Sequence, residues 1–172
     1  MRRLALISLL SAAVVFSAAF TGPDRAAPSS RVAVSGGISI QLPHQWQLVR
    51  GQLSDIASPI ARLAIASFPA RLSKHECECG FPNVVGFPHG SAFLFVWEYF
   101  YTSLNTVPRR PAQFRLTRET AQRWECQGPS DAFRFRIGAR EFEADVYLGA
   151  GAGSGVRHQL LAALDSFRAT SQ

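Results

Sequence analysis

DAFRFRIGAREFEADVYLG, residues 131–149, alternates with period two on both sides of a short interruption. Phe133, Phe135 and Ile137 are separated by Arg134 and Arg136, and Phe142, Ala144, Val146 and Leu148 are interleaved with Glu141, Glu143 and Asp145. Successive side chains of a strand point to opposite faces, so each half reads as a strand and Gly138-Ala139-Arg140 as the turn between them. The pattern predicts an antiparallel hairpin with one apolar and one charged face. Arg134 and Arg136 opposite Glu143 and Asp145 would support the pairing by about 0.2 to 1 kcal/mol per pair. On this reading the acidic row faces solvent and has no part in acid/base chemistry.

The hairpin needs a cover for its apolar face, and the chain supplies one directly after it. In SGVRHQLLAALDSFR, residues 154–168, Val156, Leu160, Ala163, Leu164 and Phe167 recur at helical spacing, with Ser154 placed to cap the start. GAGAGSG, residues 149–155, joins the two elements. Its glycines match no phosphate-binding spacing, so it reads as a flexible connector, although Arg157 and His158 in the first helical turn are suited to an anion.

Upstream, SAFLFVWEYFY (91–101) is long, aromatic and β-branched, which predicts a buried strand. RLAIASFP (62–69) is apolar on both faces and reads as a central strand. Ile38, Ile40 and Leu42 alternate after Gly36-Gly37, and the chain then turns at Pro43–Gln45 so that Trp46, Leu48 and Arg50 return as a hairpin partner. Pro59 in SDIASPIARL leaves room for a short turn only. NTVPRRPAQFRL (105–116) is a proline-interrupted connection ending in a short edge-like strand. Strands followed by a closing helix predict an α+β domain: an antiparallel sheet of about six strands with the C-terminal helix packed on one face.

The first residues, MRRLALISLLSAAVVFSAAF, place two arginines ahead of an uncharged run that ends in small residues. This is the pattern of a secretory signal peptide over 1–19, with an uncleaved N-terminal membrane anchor as the alternative. Residues 20–35, proline-bearing and polar at first, read as a disordered spacer, and 36–170 as a single domain. With 47% hydrophobic residues the domain has material for a core. Of the 18 basic residues only Lys74 is not arginine, and loss of Arg2 and Arg3 with a signal lowers the net charge from +6 to +4. That balance suits an anionic component of the cell envelope, or a protein partner, and lacks the dense basic clusters of nucleic-acid binders.

KHECECG, residues 74–80, concentrates the chemistry-bearing residues. A structural zinc site wants two ligand pairs. Here His75, Cys77, Cys79 and Cys126 are the whole supply, and the Cys-x-Cys spacing fits neither a zinc pair nor a Cys-x-x-Cys redox motif. In an oxidising compartment the favoured reading is a disulfide from Cys77 or Cys79 to Cys126. Such a bridge closes a loop of about 50 residues and contributes about 3 to 4 kcal/mol. The third cysteine is left as a free thiol or as the link of a disulfide-bonded dimer. A thiol-redox or metal-binding protein centred on this stretch is the alternative.

Catalytic constellations are lacking in the pattern: His44, His75, His89 and His158 stand in separate segments, and no serine lies in a nucleophile elbow. Glu98 is the one carboxylate inside an apolar strand, expected to face solvent or an arginine. Trp46, Trp97, Tyr99 and Arg157 are the candidates for lining a ligand cleft, against the commoner role of large aromatics in a core. No cofactor is implied.

GISIQLPHQW (37–46) and LLAALDSFR (160–168) together resemble the opening and closing segments of small exported bacterial proteins with a PsbP/Mog1-like α/β/α sandwich. In that family an alternating strand runs into Pro-x-x-Trp, and a helix ending in Ser-Phe or Ser-Leu closes the domain. The resemblance covers Gly36 to Arg168 and implies an architecture without catalytic residues. The expectation is therefore an exported, non-enzymatic binding or accessory module at the cell envelope.

Overall fold

The computed structural model of the protein describes residues 31–73, 84–100, 106–117 and 129–170. Among them the chain runs through β1 (Arg31–Ser35), β2 (Ile38–Leu42), β3 (Gln47–Leu48), β4 (Ile60–Ala66), β5 (Ala92–Tyr99), β6 (Asp131–Ile137), β7 (Arg140–Leu148), α1 (Ser154–Asp165) and β8 (Arg168–Ala169). The class is α+β with antiparallel pairing and one C-terminal helix. The single six-stranded sheet expected from the sequence is instead two sheets, a five-stranded one ordered β3-β4-β5-β7-β6 and a three-stranded one ordered β1-β2-β8.

The division follows from two turns. Gly36 and Gly37 both have left-handed φ, 54° and 71°, which a two-residue hairpin turn requires. They pair β2 with β1, a strand lying in the stretch read as spacer. Because β2 is taken by β1 on one side and β8 on the other, the expected hairpin of β2 with residues 46–50 does not form. The chain bends at Pro43–Gln45, with Gln45 itself at φ 69°, and β3 joins β4 in the larger sheet. Pro59 stands immediately before β4, and no helix lies between β3 and β4.

β6 and β7 form the hairpin read from the sequence, with Ile137 paired to Arg140 across the turn. Gly138 takes the left-handed φ of 61° there. β7 then pairs with β5 over the whole of Ala92–Tyr99, so both strands are internal and buried on both faces. On one face Leu63, Ile65, Leu94, Val96, Phe142, Ala144 and Val146 meet the helix residues Leu160, Ala163 and Leu164 together with Ile38 and Ile40 of the small sheet. Phe167, fully buried beyond the helix end, stacks edge-on against Phe135 at 5.5 Å and Phe142 at 5.2 Å. On the opposite face a second cluster gathers Phe93, Phe95, Trp97 and Tyr147 under Val49, Phe68 and Val84.

The helix begins one residue earlier than a Ser154 cap implies: Gly153 is the N-cap and makes no side-chain cap bond. The glycine-rich stretch before it is not a loose connector. Gly149 N–H donates to the Ser91 carbonyl at 2.8 Å, and Gly90 N–H donates to the Ala150 carbonyl at 2.7 Å. A Cβ at Gly149 would run into the Pro88 carbonyl, and one at Gly151 into the His89 ring, so the glycines there allow two backbones to meet.

One buried ionic cluster ties the two sheets together. Arg140 Nε and Nη2 donate to the two carboxylate oxygens of Glu98 at 2.6 and 2.9 Å. The remaining donors of Arg140 reach the small sheet: Nη2 to the Gly36 carbonyl at 2.8 Å, and Nη1 to the Gly37 and Thr170 carbonyls at 3.0 and 3.3 Å. Arg62 Nε adds a third donor to Glu98 at 2.5 Å. The β4–β5 register shifts between Ala61 and Leu63, and this bulge inserts Arg62 next to Glu98. Burial pushes the Glu98 carboxyl up, yet the hydrogen bonds and charges of Arg140 and Arg62 outweigh it and hold the group below the ordinary carboxylate range.

These contacts set a contrast that chemical denaturation reads directly. Phe167→Ala removes a ring with no exposed surface from between two others and is expected to cost about 3 to 5 kcal/mol in urea unfolding. Val32→Ala, on a side chain 54% exposed, should stay within about 0.5 kcal/mol of the parent. Equal effects would refute the placement of β8 and Phe167 over the main core.

Candidate functional site

The cysteines 77, 79 and 126 and His75 lie outside the described residues, as do residues 1–30, so the disulfide, metal, signal and anchor readings have no structural counterpart among them. Among the described residues no group of three or more His, Cys, Asp or Glu side chains is placed to hold a metal ion, and no helix is long and apolar enough to cross a membrane.

The four candidate cleft residues are distributed over three places. Trp46 is 1% exposed in the main core, and its Nε1 donates to Gln159 Oε1 of the helix at 2.9 Å. Arg157 lies on the helix's first turn, where its Nε bonds the Ala152 carbonyl at 2.9 Å. Trp97 and Tyr99 do come together, on the sheet face remote from the helix.

That face is also where the acidic row of the hairpin lies, and here the expectation of a solvated row is overturned. Glu141 and Asp145 have no exposed surface, because β7 is an internal strand and its acidic face lies beside the aromatic face of β5. The register pairs Phe95 with Asp145, Trp97 with Glu143 and Tyr99 with Glu141. Trp97 Nε1 donates to Asp145 Oδ2 at 2.9 Å, and the Tyr99 hydroxyl donates to Glu143 Oε2 at 3.1 Å. Arg134 forms an ion pair with Glu141 at 2.5 Å and stands 4.6 Å over the Tyr99 ring. Among the described residues Asp145 Oδ1 is buried without a hydrogen-bond partner. Burial and then the charge of Glu143 push the Asp145 pKa up to about 7, against the opposing Trp97 bond. Burial and Glu143 likewise push the Tyr99 hydroxyl up to about 12. A carboxyl enclosed in this way stabilises the fold when it is protonated, and its network is internal packing, not a cleft.

A different part of the molecule is open and charged. Residues 108–110 run along the free edge of β6 in place of the expected edge strand: Arg110 N–H donates to the Arg136 carbonyl at 3.0 Å, and Arg136 N–H to the Pro108 carbonyl at 2.9 Å. This pairing sets Arg109 and Arg110 beside Arg136, and the helix end brings Arg168 to the same place. The four arginines line a cavity of about 580 Å³, with Asp165 as the one carboxylate among its lining residues.

Part of this charge has a structural task. Arg110 Nη2 donates to the Leu164 and Asp165 carbonyls at 3.2 and 2.6 Å, and Arg168 Nη1 donates to the Asp165 carbonyl at 3.1 Å. Cations there answer the negative end of the helix. Donors remain beyond that need. Among the described residues Arg110 Nε is buried with no partner, and Arg136 engages only Nε, on the Val107 carbonyl at 3.2 Å. Arg109 makes no side-chain bond within the described residues. Burial and the neighbouring charge of Arg168 both lower the Arg110 pKa. Like charges held together in this way favour an incoming anion.

None of these four arginines stands out in the sequence. Arg109-Arg110 lies in a proline-rich connection, Arg136 is one of an alternating set, and Arg168 follows the helix. Their convergence is a product of topology alone.

The buried acid row generates a pH test. Between the ordinary Asp pKa near ~4 and about 7, the folded state holds the Asp145 proton and the unfolded state releases it, so this group's contribution to stability falls as pH rises through that window. Glu98 acts in the opposite sense, its contribution being lost as pH falls below the ordinary carboxylate range. Asp145→Asn is therefore expected to raise stability by about 2 to 4 kcal/mol at pH 8 and to change it little at pH 4, measured by denaturant titration at both values. A loss of equal size at both pH values would show that the carboxylate is needed in its charged form.

Compared with protein-family models, with curated proteins and with solved structures, the chain has no match.

Proposed function

We propose that the protein is a non-enzymatic binding module of the cell envelope and that it binds an anionic group in the arginine-lined cavity between the β6 edge and the end of α1. The observation that carries this reading is the convergence of Arg109, Arg110, Arg136 and Arg168 on one cavity of about 580 Å³. Guanidinium groups are planar and always charged, and they match oxyanions through paired N–H donors. The cavity size is in the range of ligand sites, on the order of 300 to 1,000 Å³. An export signal over residues 1–19 would deliver such a module to a compartment rich in anionic polymers and lipid headgroups. Asp165, the one carboxylate of the lining, is engaged by the Phe114 N–H at 2.8 Å, and the guanidinium groups that dominate the cavity suit charge recognition.

Titration with inorganic phosphate and with pyrophosphate, followed by calorimetry at low and high salt, tests the reading. Both should bind, pyrophosphate more tightly, with affinity falling as salt screens the site. Arg109→Gln combined with Arg136→Gln should weaken pyrophosphate binding at least about tenfold, equal to about 1.4 kcal/mol, while the fold is retained. Absence of binding, or binding indifferent to both substitutions, would overturn it.

A further inference from the structure

Beside the arginine cavity lies a second one, of about 400 Å³, whose lining includes Glu98, Tyr99, Phe100 and Arg140. The two share Ile137, Gly138 and Ala169 as a common wall, so they meet across the β6–β7 turn. Gly138 has no side chain to separate them, and a Cβ placed there would meet nothing within 4 Å. The two cavities differ in chemistry. The first is defined by guanidinium groups. The second presents the Phe100 ring, 47% exposed, with Arg62 standing 5.5 Å over it. Glu98, the carboxylate in this second cavity, is already paired with Arg62 and Arg140 and offers no uncompensated negative charge.

We infer that the two cavities form one bipartite site for an amphiphilic phosphate, a phosphate ester with its charged group among Arg109, Arg136 and Arg168 and its hydrocarbon part against Phe100 and Ile137. This rests on the anion-binding reading above and adds the ligand class. Phosphate fits the first cavity because its oxygens accept several N–H donors at once and its charge answers several cations. A hydrocarbon body fits the second because an exposed aromatic ring next to an internally neutralised ion cluster gains from losing water while leaving no charge unpaired. The same chemistry is offered by a free short-chain phosphate ester and by the headgroup and upper chain of a phospholipid.

The test compares hexyl phosphate, which stays monomeric, with inorganic phosphate by calorimetry, on the parent protein and on Phe100→Ser. It adds flotation with phosphatidylcholine vesicles with and without phosphatidylglycerol. Hexyl phosphate should bind at least about tenfold more tightly than inorganic phosphate, and Phe100→Ser should remove most of that gain without changing inorganic phosphate binding. Thermal unfolding of the variant should stay close to the parent, since Phe100 is nearly half exposed and belongs to neither core cluster. Given that gain, flotation dependent on phosphatidylglycerol identifies a lipid source, and hexyl phosphate binding without flotation identifies a free ester. Equal affinity for hexyl and inorganic phosphate, or a gain that survives Phe100→Ser, overturns the bipartite site and leaves the arginine cavity standing. Failure of both phosphates to bind overturns the anion-binding reading as well.

Discussion

The contact of Arg140 with Glu98 is the constraint on which the remaining architecture depends. It sits where β5 and β7 are both internal, and it links that sheet to backbone carbonyls of Gly36, Gly37 and Thr170 at one end of the small one. A buried carboxylate is costly unless matched, and this one receives donors from two arginines. Without the Arg140 fork, Glu98 would keep only Arg62 as a partner, and the carbonyls of Gly36, Gly37 and Thr170 would lose a charged donor. The small sheet is also held by apolar packing, since Ala33, Ile38 and Ile40 enter the shared core, and by the bond of Gln41 N–H to Ser166 Oγ, while Val32 and Val34 of β1 are exposed. The ionic cluster adds a directional polar link to that packing, beside the Ala169 wall of the site proposed for ligand.

The molecule separates its charges into two kinds of environment. On the sheet face away from the helix, carboxyl groups are enclosed by aromatic rings and bonded by a tryptophan N–H, a tyrosine hydroxyl and one arginine. Around the β6 edge and the helix end, arginines collect with few acids and keep donors in reserve. The first arrangement is internal and contributes to stability in a pH-dependent way. The second is open, and it gathers four arginines on one cavity.

How far the sequence discloses this differs from element to element. The hairpin of residues 131–148 is legible because its period-two pattern and its glycine turn agree, and the closing helix because its apolar stripe recurs over three turns. The burial of the acidic row is not, since alternation tells which residues share a face but not whether a neighbouring strand covers it. A signal was nevertheless present: Phe93, Phe95, Trp97 and Tyr99 form a row ending in two hydrogen-bond donors, matched in spacing to Glu141, Glu143 and Asp145. β1 was hidden by proximity to a polar, proline-bearing stretch, though Gly36-Gly37 after Val32 and Val34 has the form of a hairpin turn. The arginine cavity was illegible, because three separate segments, 109–110, 136 and 168, meet only after the sheet order is known.

Native-state hydrogen exchange on the double variant Glu98→Gln, Arg140→Met tests the central linkage most directly, because it removes the clamp without leaving Glu98 buried as an unpaired charge. The account predicts that amides of β1, β2 and β8 exchange at least about tenfold faster while those of β5 and β7 keep their protection, a local opening of the small sheet. A uniform change across both sheets, or none in either, would contradict it.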